Sequence, residues 1–64
     1  MDIHIQFETS GNELLIKNVI KRDINSDTYV VKYIKDGLIA QETFNTKDIK
    51  CVVVDKVDYS QQIA

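Results

Sequence analysis

The chain has 64 residues, a mass of 7.4 kDa and a formal charge of −2, from 8 Lys and Arg against 10 Asp and Glu. A chain this short makes one domain over residues 1–64 and buries only about three-fifths of its surface, which excludes a two-lobed catalytic cleft or a dinucleotide-binding unit. The weakly acidic balance is unlike the basic footprint of a general nucleic-acid binder.

Twenty of the 64 residues are Ile, Val or Thr, whereas Leu, Ala and Met together contribute six. Branching at Cβ restricts χ1 in a helix and packs well on a pleated surface, so the composition favours sheet. Proline is absent, and glycine occurs only at Gly11 and Gly37. A single cysteine, Cys51, cannot close an internal disulfide. No stretch approaches the ~20 apolar residues of a membrane span. The opening residues, Met1 to Gln6, alternate polar and apolar and lack the apolar core of a signal peptide. The expectation is a cytoplasmic protein with no membrane partner, stabilised by its core or by a second chain.

In chain order, Asp2 to Glu8 alternates strictly, with Ile3, Ile5 and Phe7 on one side. This predicts a half-buried strand, ended by the turn residues Thr9-Ser10-Gly11-Asn12. Glu13 to Asn25 has two readings. With period two, Leu14, Ile16 and Ile20 share a face; with period 3.6, Leu15, Ile16, Val19, Ile20 and Ile24 form a stripe. Ser10 and Glu13 stand at capping-box spacing, yet β-branched residues are frequent and alanine is missing. Strand is the expectation, with a helix at about 13–24 as the alternative.

Asn25-Ser26-Asp27 predicts a turn, and Tyr29 to Lys35 a strand. Lys35-Asp36-Gly37 then carries the strongest hairpin signal, because Asp-Gly supplies the positive φ values of a tight turn. Leu38 to Phe44 returns as the partner strand, Asn45 to Asp48 fits a short or 3₁₀ turn, and Lys50 to Asp55 is the last strand. Residues 59–64 read as a frayed tail. The fold class is mostly β: a small antiparallel Src-homology-3-like barrel or bent sheet of four to five strands. The alternative is an α+β domain with one helix, at about 13–24, on a four-stranded antiparallel sheet.

Val19-Ile20-Lys21-Arg22-Asp23, Tyr29 to Ile34, Asp36-Gly37, Phe44 and Lys47-Asp48-Ile49 together resemble the Tudor-type branch of Src-homology-3-like barrels. The resemblance covers about half of the chain. It implies a strand, a turn, a Tyr-x-Val strand, Asp-Gly, a return strand and a 3₁₀ turn into the last strand. Tudor domains that bind methylated side chains use a cluster of several aromatics. The aromatics here are Phe7, Tyr29, Tyr33, Phe44 and Tyr59, and that activity is not carried over.

Several predicted strands are apolar on both sides, although an antiparallel sheet needs only one apolar face. The surplus set is Leu15, Val19, Val30, Ile34, Ile39, Val52 and Val54. A helix, a symmetric copy or another protein could cover it, and this set is the expected interface.

Catalytic signals are weak. His4 is the single histidine and reads as a solvated surface residue, and Cys51 opens an apolar run as an inert core thiol. Two N/S candidates cannot complete a zinc site, the carboxylates lack calcium-loop spacing, and the glycines stand 26 apart. No enzyme, metal or cofactor is expected. Lys17, Lys21, Arg22 and Lys32 interleave with Tyr29 and Tyr33, a pairing of charge and stacking that suits single-stranded nucleic acid. The expected function is a non-enzymatic protein-interaction module, acting as a homodimer or on another protein, with a nucleic-acid-binding barrel as the alternative. The Ile-, Lys- and Asn-leaning composition points to an accessory protein of a bacterium or phage with an AT-rich genome.

Overall fold

Alternation puts Ile3 and Ile5 on one side of an extended segment, and the segment becomes a strand when that side meets apolar rows on both flanks. In the computed structural model, which describes residues 1–59, strand β1 is Ile3–Phe7. It pairs antiparallel with β2 (Glu13–Ile16) on one flank and β6 (Ile49–Val54) on the other. Residues directly opposite across a ladder share a face. Ile3 stands between Ile16 and Val54, and Ile5 is opposite Val52, so all five point to the same interior.

The remaining strands are β3 (Val19–Ile24), β4 (Thr28–Lys35), β5 (Leu38–Asn45) and β7 (Val57–Asp58). The order is β2-β1-β6-β7 in a four-stranded sheet and β3-β4-β5 in a three-stranded one, antiparallel throughout. The fold is mostly β, and its two bent sheets do not close into a barrel. Val19 from β3 with Tyr29 and Val31 from β4 pack against Ile3, Ile5, Ile16, Ile49, Val52 and Val54, so both sheets share one core. No helix is long and apolar enough to cross a membrane among the described residues.

The segment read as strand or helix is two strands. The chain breaks at Asn18, whose φ of 60° suits an asparagine in a left-handed corner. The corner carries the chain from one sheet to the other, which lets Ile16 and Val19 both reach the core. The stripe of a helix over 13–24 is split: Ile16 and Val19 are buried, whereas Leu15, Ile20 and Ile24 are exposed. The N-terminus and β4 both hold the corner: the Val19 amide donates to the Met1 carbonyl at 2.8 Å, and the Ile34 amide donates to the Asn18 carbonyl at 3.0 Å.

Asp36 and Gly37 take φ values of 53° and 77°, the mirror-image turn the sequence predicts. A second turn of this kind, at Asp55 (47°) and Lys56 (71°), joins β6 to β7 without a glycine. The 3₁₀ turn Thr46–Asp48 is capped by the Asn45 side chain, which accepts from the Lys47 amide at 3.1 Å. Tyr59, assigned to the tail from the sequence, is half-buried against the core, and its amide donates to the Val52 carbonyl at 2.8 Å. The rest of that segment, 60–64, lies outside the described residues.

Candidate interaction surface

Two open sheets have four edges, each a row of unpaired amides and carbonyls that invites another strand. Three of the four are blunted. β2 has four residues and β7 two. β3 bulges between Val19 and Lys21 and carries Lys21, Arg22 and Asp23, with Lys21 3.6 Å from Asp23 across an exposed ion pair. β5 has none of these defences. It runs eight residues in unbroken register with β4, from Thr28 opposite Asn45 to Lys35 opposite Leu38, and its one charge is Glu42.

The hydrogen-bond phase of β5 follows from one contact. The Thr46 amide donates to the Asp27 carbonyl at 2.9 Å, which makes Asp27 and Thr46 a hydrogen-bonded pair. Antiparallel pairs alternate between bonded and non-bonded. Leu38, Ala40, Glu42 and Phe44 therefore bond inward to β4, whereas Ile39, Gln41 and Thr43 turn their amides and carbonyls to the open side. No hydrogen bond from a described residue meets them. At the hairpin tip Leu38 is 72% exposed and Ile39 69%.

Beside that tip lies a cleft of about 560 Å³ between β2 and the far end of the β4–β5 hairpin, walled by Leu14, Leu15, Tyr33, Ile34 and Glu42. The Tyr33 hydroxyl donates to Glu42 Oε1 at 3.2 Å. Desolvation first, then that hydrogen bond and the Glu42 charge, hold the Tyr33 phenol above its ordinary value of 10.0.

The expected interface set divides. Val19, Val52 and Val54 are not surface residues but core: Val52 and Val54 stand opposite Ile5 and Ile3, and register carries them inward with those partners. The last strand's outer face belongs to Cys51 and Val53 instead. Leu15 and Ile39 are exposed, and Val30 and Ile34 are half-buried. Leu15 and Ile34 wall the same cleft, and Ile34 is opposite Ile39, so three of the seven meet at one end of the molecule. Leu38, Gln41 and Thr43 lie on this edge outside the expected set. Only the length of β5 beside an Asp-Gly turn hinted at an overhanging tip.

The basic set does not assemble into a stacking groove. Tyr29 is 1% exposed and accepts from Arg22 Nη1 at 3.3 Å, and the Arg22 guanidinium lies 4.3 Å from the Tyr59 ring centre. Both are committed to the interior side, which corrects their placement as nucleic-acid contacts. Lys21 and Lys32 are opposite each other on the outer face, Lys17 borders the cleft, and Tyr33 is tied to Glu42.

His4 sits 3.6 Å from Glu13 on the outer face of the four-stranded sheet. Cys51 is a half-buried free thiol opposite Gln6, diagonal to His4. The His4 imidazole is turned to Glu13, its diagonal neighbour on β2, rather than to the thiol. No cluster of three or more His, Cys, Asp or Glu is placed to hold a metal ion among the described residues. No protein-family model, no curated protein and no solved structure matches the chain.

Proposed function

We propose that the chain is a small non-enzymatic interaction module, a cytoplasmic accessory protein of a bacterium or phage, that binds a polypeptide strand, from its own copy or from another protein, by strand addition along β5. The observation that carries this reading is the undefended edge of β5, eight residues long, beside Leu38 and Ile39. Extended partners of this kind draw affinity from main-chain hydrogen bonds and specificity from side-chain pockets. The energetics assign the two parts different weights. A net hydrogen bond contributes about 0.5–1.5 kcal/mol, and the outward groups of Ile39, Gln41 and Thr43 together do not clearly exceed the ~4–15 kcal/mol cost of association. Burial of an aliphatic side chain contributes about 1.5–3 kcal/mol, so Leu38 and Ile39 supply the surplus that makes binding measurable.

The β3–β5 meander and the 3₁₀ turn after it are what the proposed likeness to Tudor-type domains rests on. Nucleic-acid binding loses support with Tyr29 in the core. The test compares the immobilised wild-type chain with Gln41→Pro in cell extract to which free wild-type chain has been added. Proline there removes an outward amide and leaves the β4 ladder intact. The expected result is a polypeptide retained by wild type and lost with the variant, while both give the same far-UV circular dichroism. Equal retention by both, or retention of nothing, overturns the reading.

A further inference from the structure

An edge that accepts any strand must also be asked whether it accepts its own. Residues Ile39, Gln41 and Thr43 present their backbone groups outward, so an antiparallel partner must pair odd positions with odd positions. If that partner is a second β5 related by a two-fold axis, the axis must pass through a residue. Pairing Leu38 with Asn45 of the second copy would overlap all eight residues, but it matches odd with even positions and leaves the outward groups unmatched.

Two centres give the next-longest overlap of seven residues, Gln41 and Glu42. Centring on Glu42 sets two carboxylates directly opposite, which is destabilising. Centring on Gln41 places Glu42 opposite Ala40 of the second copy and Gln41 opposite its own counterpart. Ile39 then meets Thr43, and the exposed Leu38 meets Phe44, a half-buried ring already packed 5.7 Å from Phe7. The overlap is about 24 Å long at ~3.4 Å per residue and forms about six backbone hydrogen bonds.

We infer that the strand received by β5 is β5 of a second copy, paired about a two-fold axis at Gln41 to give a continuous six-stranded sheet β3-β4-β5-β5-β4-β3. The inference rests on the strand-addition reading and names its occupant. The sequence is suited to it: β5 lacks proline, lysine, arginine and any bulge, and its single acidic residue avoids its own image in this register. The other edges are not so suited, being two or four residues long or, in β3, bulged and charged.

The experiment uses the purified full chain in three arms. Sedimentation equilibrium at tens to hundreds of micromolar is expected to give twice the 7.4 kDa chain mass. Gln41→Glu introduces a carboxylate beside Lys32 within the monomer and a like-charge pair across the axis. It is expected to leave the fold unchanged and weaken association at least about tenfold. In a Cys51→Ser background, Gln41→Cys is expected to form a disulfide between copies on mild oxidation. Hydrogen-bonded antiparallel neighbours lie about 5.5 Å apart at Cα, inside the disulfide range. Thr43→Cys is expected not to, being four residues from its own image, about 14 Å.

A dimer that survives Gln41→Glu, or cross-links as readily through Thr43→Cys, overturns the inference. A strict monomer at all concentrations overturns it as well, while the strand-addition reading stands or falls separately on capture from extract by wild type against Gln41→Pro.

Discussion

The two ends of the β4–β5 hairpin are built from similar residues and do opposite things. At the near end Tyr29 and Val31 are enclosed by the four-stranded sheet, and Phe44 packs on Phe7. At the far end Tyr33 and Ile34 wall an open cleft, and Leu38 and Ile39 stand in solvent. The strands of the facing sheet are shorter, five residues in β1 against eight in β4 and β5, so the hairpin overhangs its own core. The same residue types stabilise the fold at one end and are left for a partner at the other. Length mismatch between two packed sheets is thus a way to expose apolar surface without weakening the interior.

The near end is the more sensitive to substitution. Tyr29→Ala removes an enclosed ring and the hydroxyl to which Arg22 donates. Truncating a buried aromatic costs about 3–5 kcal/mol, comparable to the whole stability of a domain this size, so circular dichroism and thermal scans should show a largely unfolded chain. Gly37→Ala acts at the turn of the far end. Its added Cβ meets no atom within 4 Å, but φ is +77°, so the cost is backbone strain of about 1–2 kcal/mol, read from a lowered midpoint in urea with unchanged slope.

Leu38→Ala should be nearly silent in the same urea titration at low micromolar concentration, within about 0.5 kcal/mol. A cost near that of Tyr29→Ala would show that the tip is packed after all. The smallest effect is electrostatic. Because Tyr33 titrates higher in the folded chain than unfolded, the fold binds that proton more tightly. The associated stability is present below the unfolded value of 10.0 and is lost as pH rises through the folded value. Absorbance titration of the phenol should show its midpoint above 10.0, and Glu42→Gln should lower it. Loading the chain on heparin at low salt bears on the far end differently: no retention is expected, and retention that salt abolishes would revive a nucleic-acid role for Lys17, Lys21 and Lys32.

Local patterns were legible where one physical requirement acted alone. Strict alternation in Asp2 to Glu8 required a strand, and Asp36-Gly37 required a tight turn, because few other residues tolerate its φ values. The β6–β7 hairpin was hidden, since it makes the same turn with Lys56, a residue that seldom adopts a positive φ, where the other has glycine. Glu13 to Ile24 was ambiguous because its apolar residues satisfy both periods, and the break at Asn18 came from the need to enter two sheets in succession. Of the surface set, Leu15, Ile34 and Ile39 could be read from excess apolar character. Val52 and Val54 could not be told from Cys51 and Val53, because a strand apolar on both sides has no preferred face until a neighbour sets its register.

The residue pattern by itself therefore determined a short antiparallel β domain with its principal strands and one hairpin, because β-branching and alternation act over a few residues. Strand order, and with it the choice of inner face and the strand left at an edge, was decided by tertiary structure. Those depend on which rows of side chains meet across some fifty residues of chain, as Ile3 meets Val54, and no local preference encodes such a meeting.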